Sequence, residues 1–285
     1  MDLHWIAESL KPYIPPFFLT TLVTAAFGAF AGAWAAGRSQ TRRAVVAELN
    51  SVHAALVLCF SISNKFIALK KQHVKGLRDR YRKAEEAYRE HVVAIAAGPH
   101  TFELHADFQT ITPVTVPTDV LQRHVFERIS IAGRALASAV DLIGAIDGLN
   151  RSVKYRHDLV AEFQRASPMP PKTLTEKYLG LRNAEGATDQ RVGDNVEAIY
   201  NQTDDCIFFS RILADDLLAY GTKLRRRHAW KFRLGTPKFI DADWTKAIRA
   251  GLIPSDEQYK DWLKGFKRRE SIFKRTRAWL CKQFT

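Results

Sequence analysis

The feature that most constrains this chain is an uncharged, apolar stretch near its N-terminus that runs from Pro16 to Gly37. An α-helix needs about 20 such residues to cross the hydrocarbon core of a bilayer. Three arginines follow directly, at Arg38, Arg42 and Arg43, whereas one lysine and two acidic residues precede it. The positive-inside rule therefore predicts a single-pass helix over 16–37 in the inner (plasma) membrane, with residues 1–15 outside and the rest of the chain cytosolic.

Two other interpretations of this region remain open. The tripeptide Ala33-Trp34-Ala35 resembles a signal-peptide cleavage site, although the basic segment that precedes the apolar part of a signal peptide is missing. Residues 49–64 are also uncharged and would make a second span. Their shorter length and their polar side chains are more typical of a buried helix in a soluble domain.

Small residues line one side of the predicted membrane helix. Gly28 and Gly32 form a GxxxG pair, and Ala25 and Ala29 extend the same surface. Such a surface lets two helix backbones approach closely enough for dispersion forces to hold them together. We therefore expect a homo-oligomer that associates through these residues, although small residues are common in membrane helices generally.

Heptad patterns after Arg43 predict three long helices. Apolar residues alternate in steps of four and three over 45–66 and, after a change of phase, over 74–95. Two further patterns cover 125–160 and 188–224. The chain is therefore predicted to be all-α, with an antiparallel, coiled-coil-like three-helix bundle over 38–233.

The connections carry their own predictions. Residues 101–117 lose the helical period, and their alternating apolar residues predict a loop with one hairpin. Thr118 or Asp119 is expected to cap the second helix. Asn150 and His157 lie on its apolar seam, where we expect them to fix the register between helices as polar core residues.

The last part of the chain, 234–285, is basic and is predicted to contain an amphipathic helix. Ser255 and Gln258 match a capping box that would open this helix. Three docking partners remain open for it: the inner leaflet, a partner protein, and the acidic part of the third long helix. That acidic part contains Asp204, Asp205, Asp215 and Asp216.

Positive charge is concentrated in two windows, 223–238 and 264–285, which hold 15 basic residues and one acidic residue in a chain of net charge +13. If the three long helices run up, down and up from the membrane, the first window lies several Debye lengths from it, and a partner other than the bilayer is needed. Clustered arginines and aromatic residues favour a nucleic acid or an acidic protein. The alternative is a solvated face neutralised by neighbouring acids. The candidate polyanion-binding residues are Arg225, Arg226, Arg227, Lys231, Lys267, Arg268, Arg269, Lys274 and Arg275.

Signatures of catalysis are missing from the sequence. It contains no GxxxxGK[ST], GxGxxG, HExxH, GxSxG or CxxC motif, and its three cysteines match no zinc-ligand spacing. The histidines His91, His100 and His105 also match no ligand set. The paired aspartates of the third helix are three turns apart, too far to share one ion. We therefore expect no enzyme activity, no cofactor and no metal.

These patterns favour a non-enzymatic, membrane-anchored scaffold or sensor that binds an acidic partner through its helical domain. The alternative is a membrane-perturbing effector of a bacterial defence system, held silent by its cytosolic domain until copies assemble through Gly28 and Gly32. An enzyme with an unrecognised site is a third possibility, which a concave pocket with converging polar groups would support.

Overall fold

The structure is a computed structural model that describes residues 16–95, 98, 100–232, 238–239 and 241–266. Over this part the chain is all-helical, and its β-structure is confined to an isolated bridge between Arg182 and Thr188. The helices are α1 (Pro16–Leu69), α2 (Lys75–Ile95), α3 (Thr118–Gln122), α4 (Arg134–Arg165), α5 (Pro171–Leu179), α6 (Arg191–Phe232), α7 (Thr245–Arg249) and α8 (Lys260–Gly265). Two π-helical turns, Lys70–Val74 and Arg123–Arg128, and a 3-10 turn, Asp256–Tyr259, lie between them.

Helix α1 has an exposed half and a buried half. Every described side chain from Thr20 to Ala44 is exposed, whereas the heptad residues from Val45 onward are buried. The continuous helix Thr20–Ile95 is, by length and composition, apolar enough to span a membrane. It makes no turn between Gly37 and Leu49, so the two-span hairpin is not formed, and residues 49–64 belong to the core instead.

The predicted change of phase in the first heptad pattern coincides with the π-helical turn. Between Phe66 and Val74 both Leu69 and Lys70 are buried, and Lys70 continues the seam from Phe66 to Val74 in two steps of four. A π-helical turn accommodates the extra residue, because it holds more residues per turn than an α-helix. The end of the predicted seam is wrong, since Val92 and Ile95 are more than half exposed.

Helix α6 lies in the core and contacts both other long helices. Its pairings with the first helical stretch are Tyr220 to Glu48, Ser210 to Ser63, Asp204 to Lys70 and Glu197 to Arg78. Residue numbers rise on one stretch as they fall on the other. The C-terminal part of α6 therefore lies beside the beginning of the buried half of α1, where Leu224 packs against Val45 and Leu49.

Helix α4 pairs with α6 in the same manner. Arg134 donates hydrogen bonds to Asp216 at 2.9 and 2.5 Å, and Asn195 donates to the Ser152 carbonyl at 2.8 Å. Low numbers on α4 thus meet high numbers on α6. Helices α1 and α4 both pair with α6 in this sense, so α4 does not run back toward the uncharged end of α1, as the up, down and up order required.

The segment 100–117 carries the chain back along the bundle, between the end of α2 and the start of α3. It is neither a helix nor a hairpin, and it lies against α4, whose side chains bind its backbone. Asn150 accepts a hydrogen bond from the Val114 amide at 3.0 Å and donates to the Val114 carbonyl, while His157 donates to the Ile111 carbonyl at 2.8 Å. The predicted hairpin is therefore wrong, and these two polar residues hold an extended segment rather than setting a helix register.

The predicted second long helix is also interrupted. Helix α3 begins at Thr118 after Pro117, without a side-chain cap, so neither proposed cap residue is used. The chain leaves helical geometry at Ile129 and passes through Gly133, whose φ of +67° is a conformation that favours glycine. Helix α4 then begins at Arg134.

The described part of the C-terminal region, up to Phe266, docks on α6 and α4 through aromatic residues. The ring of Tyr259 stacks on Phe208 at 3.7 Å and its hydroxyl donates to Asp205 at 2.7 Å, while Trp262 Nε1 donates to Asp141 at 2.7 Å. The capping box is wrong, because Ser255 makes no side-chain cap and the segment opens with a 3-10 turn. The remainder of the predicted amphipathic helix lies outside the described residues.

Candidate membrane-proximal basic site

Two segments from the ends of the described core meet next to the uncharged stretch of α1. Leu224 of α6 packs against Val45 of α1, and beyond this contact α6 continues for eight residues to Phe232. At 1.5 Å per residue this extends about 12 Å. Eight residues also separate Val45 from Gly37, so α6 ends approximately level with the end of the uncharged stretch.

The two segments are strongly basic. Residues 38–44 and 223–228 contain seven lysines and arginines and no acidic residue. We call this set the basic collar: Arg38, Arg42, Arg43, Lys223, Arg225, Arg226 and Arg227. Arg42, Arg43, Arg226 and Arg227 are exposed, and none of these four forms an ion pair with a carboxylate in the described part of the chain.

Two nearby carboxylates are committed to structural contacts. Glu48 accepts hydrogen bonds from the Tyr220 hydroxyl at 2.5 Å and from the Ser130 amide at 2.7 Å. Burial, followed by the bond to Glu48, raises the pKa of Tyr220 to about 12, so the hydroxyl remains a donor at neutral pH. Asp216 is held by the guanidinium of Arg134. These carboxylates stabilise the core next to the collar, and in the described part of the chain neither forms an ion pair with Arg42, Arg43, Arg226 or Arg227.

The collar corrects the predicted position of Arg225, Arg226 and Arg227. We expected them at the end of the bundle far from the bilayer, but they lie at the end of the core nearest the uncharged stretch. The extended segment 100–117 is the cause, because it supplies a crossing that the heptad patterns do not show. These arginines therefore do not lie several Debye lengths from the uncharged stretch, and their position no longer requires a partner other than the membrane.

The basic residues of the opposite half do not join the collar. Lys70 pairs with Asp204, and the guanidinium groups of Arg78 and Arg82 both pair with Glu197, at 2.8 and 3.0 Å. Two carboxylates thus compensate two of these three positive charges.

The four membrane-packing candidates lie on an uncovered surface. Apart from the neighbouring backbone of its own helix, a Cβ atom built on Gly28 or Gly32 meets no described heavy atom within 4 Å. Ala25 and Ala29 are exposed as well. No segment in the described part of the chain covers this side of α1.

Several other candidate residues contact partners within the core, and others lie outside the described residues. Asp204, Asp205, Asp215 and Asp216 each contact a different partner, respectively Lys70, Tyr259, Arg211 and Arg134. His91 and His100 approach each other with their Nδ1 atoms 3.0 Å apart, but among the described residues no group of three or more ligands suits a metal ion. The side chains of Lys231, Lys267, Arg268, Arg269, Lys274 and Arg275 are outside the described set.

Sequence reasoning treated Arg38, Arg42 and Arg43 only as an orientation signal and missed that they share a surface with Arg226 and Arg227. The available signal was Leu224, the last residue of the third heptad pattern, which is the residue that packs against Val45. To predict that Leu224 packs against Val45, one must know how many times the chain passes along the bundle between these two residues.

The chain matches no protein-family model, and comparison with curated proteins and with solved structures finds no match.

Proposed function

We propose that this chain is a non-enzymatic, single-pass scaffold or sensor of the inner membrane. Its cytosolic part would be a helical bundle in which α6 runs antiparallel to α1 and α4, and which stands on the bilayer with the basic collar at the inner leaflet. The observation that supports this proposal is the direction of α6, which returns Arg226 and Arg227 to the level of Arg42 and Arg43. Basic residues next to the cytosolic end of a membrane helix are the pattern that the positive-inside rule describes.

The exposed half of α1 supports the same proposal. Phe27 and Phe30 are 71% and 73% exposed, and no described segment packs on them. Exposure of this surface to water costs about 25 cal/mol of free energy for each Å² of apolar area, and contact with lipid removes that cost. Trp34 lies near the end of the stretch with the Arg38 guanidinium 5.4 Å from its ring centre, an arrangement typical of an interfacial anchor.

Topology reporters on the full-length chain test this proposal. A C-terminal green fluorescent protein should fluoresce, a C-terminal alkaline phosphatase should be inactive, and the protein should resist carbonate extraction from membranes. An active phosphatase, or extraction by carbonate, would contradict the proposal. The intact mass of the membrane-bound protein tests the cleavage alternative, because a cleaved chain lacks the residues up to Ala35.

A paired substitution sharpens the topology test. Orientation is decided by basic residues close in sequence to the membrane helix. R38Q/R42Q/R43Q should therefore give mixed orientation, whereas R226Q/R227Q should keep the C-terminus cytosolic. Equal effects of the two variants would contradict the assignment of orientation to α1.

The second candidate is the membrane-perturbing effector, which the uncovered surface at Gly28 and Gly32 favours. On this hypothesis expression with the natural trigger depolarises the membrane, and G28I/G32I abolishes depolarisation at equal protein level. Harmless expression of the unaltered chain under both conditions would remove this candidate.

A further inference from the structure

We infer that the basic collar binds the phosphate groups of anionic phospholipids in the inner leaflet, through Arg42 and Arg43 of α1 and Arg226 and Arg227 of α6. The inference rests on the proposed function, because it requires the uncharged stretch of α1 to lie in the bilayer. It goes beyond that function by naming the acidic partner.

The height of these arginines above the hydrocarbon core suits phosphate binding. Arg42 and Arg43 follow Gly37 by five and six residues, which is about 8 to 9 Å along the helix. The headgroup layer on each side of a bilayer is about 5 to 8 Å thick. Arginine side chains extend along apolar surface toward the interface, so their guanidinium groups reach phosphate depth.

Packing between α1 and α6 places the second pair of arginines at the same height. Leu224 lies beside Val45, so Arg226 and Arg227, two and three residues further along α6, are level with Arg43 and Arg42. Gly221 allows this close approach, because a Cβ atom there would lie 2.9 Å from Val52 Cγ1. The four cations are therefore held by two packed helices rather than by a flexible tail.

The chemistry of the collar fits phosphate better than a diffuse cloud of counterions. A guanidinium group offers a planar set of N–H donors that can bind two phosphate oxygens at once. The four arginines are exposed and have no carboxylate partner in the described part of the chain. Their donors are thus available to an external anion.

Position favours a lipid over a nucleic acid. The collar lies within about one Debye length of the membrane surface, where the potential of anionic lipids is negative. That potential repels an approaching polynucleotide, while the lipid phosphates are already next to the arginines. We therefore assign the partner as a phospholipid headgroup.

Native mass spectrometry of the full-length protein, released from detergent, tests the inference. The sample is given equal amounts of dioleoyl phosphatidylglycerol and dioleoyl phosphatidylcholine. We expect the protein to retain the anionic lipid at about a tenfold excess, and R42Q/R43Q/R226Q/R227Q to retain both lipids equally. Excess inorganic phosphate should leave the retained lipid in place, because a free ion lacks the acyl chains that add hydrophobic binding.

Two further variants give the test its controls. K71Q/K75Q/K83Q/R89Q removes the same charge from exposed positions distant from the collar and should keep the preference. R42Q/R43Q and R226Q/R227Q should each lose part of it, because the site uses both helices. Circular dichroism of every variant checks that the helices are intact.

The contradictory outcomes are distinct. Equal retention of the two lipids by the unaltered chain, or the same loss in the distant control, would overturn the inference. So would binding of a single-stranded RNA oligonucleotide that depends on the four arginines in the absence of any lipid preference, since the partner would then be nucleic acid. A cytosolic C-terminus without lipid preference would remove only this inference, whereas an external C-terminus would remove the proposed function whatever the lipid result.

Discussion

Lys70 and Asp204 bring opposite charges into the core where the first helical stretch meets α6. Their side chains are 2% and 8% exposed, and Lys70 Nζ lies 2.5 Å from Asp204 Oδ1. Burial raises the pKa of Asp204, although the bond from Lys70 opposes that effect. The ammonium group also lies 4.7 Å from the ring centre of Tyr200. A heptad seam normally has an apolar residue at such a position. Burying either charge without its partner would strongly lower the free energy of unfolding, so each residue depends on the other.

The K70M variant should lower the free energy of unfolding by about 3 to 5 kcal/mol, because it leaves the Asp204 carboxylate buried without its cation. The double variant K70M/D204L should recover most of that loss, since apolar side chains of similar volume replace a buried ion pair at little net cost. Chemical unfolding of the full-length protein in detergent, followed by circular dichroism, measures both. A single variant within about 1 kcal/mol of the unaltered protein would show that the pair is not buried as described.

Arg191 predicts a dependence of stability on pH. It donates hydrogen bonds to Glu162 of α4 and to Asp189, all near 2.8 to 2.9 Å, and these bonds hold the pKa of both carboxyl groups below their ordinary values of 4.5 and 3.8. Folded-state values below the unfolded ones stabilise the protein above about pH 4.5. That contribution is lost as the pH falls through the folded values.

The R191M variant should therefore be less stable than the unaltered protein at pH 7, and the difference should shrink by pH 3. Arg191 and Glu162 are each about two-fifths exposed, so solvent screening limits the effect to about 1 kcal/mol or less. Arg151 of α4 is exposed and is the matched control, because R151M should give a difference that is independent of pH. A difference for R191M that grows on acidification would contradict the assigned direction.

The contact between α1 and α6 depends on a glycine. A Cβ atom at Gly221 would lie 2.6 Å from Phe239 Cζ and 2.9 Å from Val52 Cγ1, and Val52 is fully buried. G221A should push the helices apart and lower the free energy of unfolding by about 1 to 3 kcal/mol. Gly144 of α4 is the matched control, since its Cβ position is open and G144A should stabilise the helix by about 0.5 to 1 kcal/mol. Equal effects of the two substitutions, measured by thermal unfolding, would contradict the close contact.

Periodicity predicted the helical elements well where one face is buried against another helix. The seam residues from Val45 to Phe66 are buried as expected, and the change of phase at Lys70 coincides with a π-helical turn. The all-helical class follows from the same signal, because a period near 3.6 excludes strands.

Periodicity did not predict the extended segment 100–117, which packs on α4 although it is not a helix. A seam reports which face of α4 is buried, but not whether a helix or an extended chain lies on it. Asn150 and His157 satisfy the Ile111 carbonyl and both backbone groups of Val114, which a partner strand would otherwise bind. Gly133 is a single residue in a long apolar pattern, and its positive φ interrupts a helix that the pattern continues.

The direction of α6 is the property of the whole molecule that the sequence could not predict. The heptad patterns identify three long helices, but the number of crossings between them decides at which end each helix finishes. One unrecognised extended crossing moves Arg226 and Arg227 by the full length of the core, from the far end to the collar. The sequence thus identifies which residues are basic, but it does not show at which end of the core Arg226 and Arg227 lie.

Assembly is the last prediction for the whole molecule. On the proposed function the collar would set the height of the core on the membrane, while no described segment covers the small-residue surface of α1. We expect G28I/G32I to weaken self-association by on the order of tenfold, since the two added side chains keep the helix backbones apart. Gly37 provides the control: nine residues at 100° each place it on the opposite side of the helix from Gly28, and its Cβ position is equally open. Energy transfer between labelled copies in liposomes at several protein-to-lipid ratios measures the association. Loss of transfer in G37I as well would indicate a general effect of bulk, and unchanged transfer in G28I/G32I would assign the association to another surface.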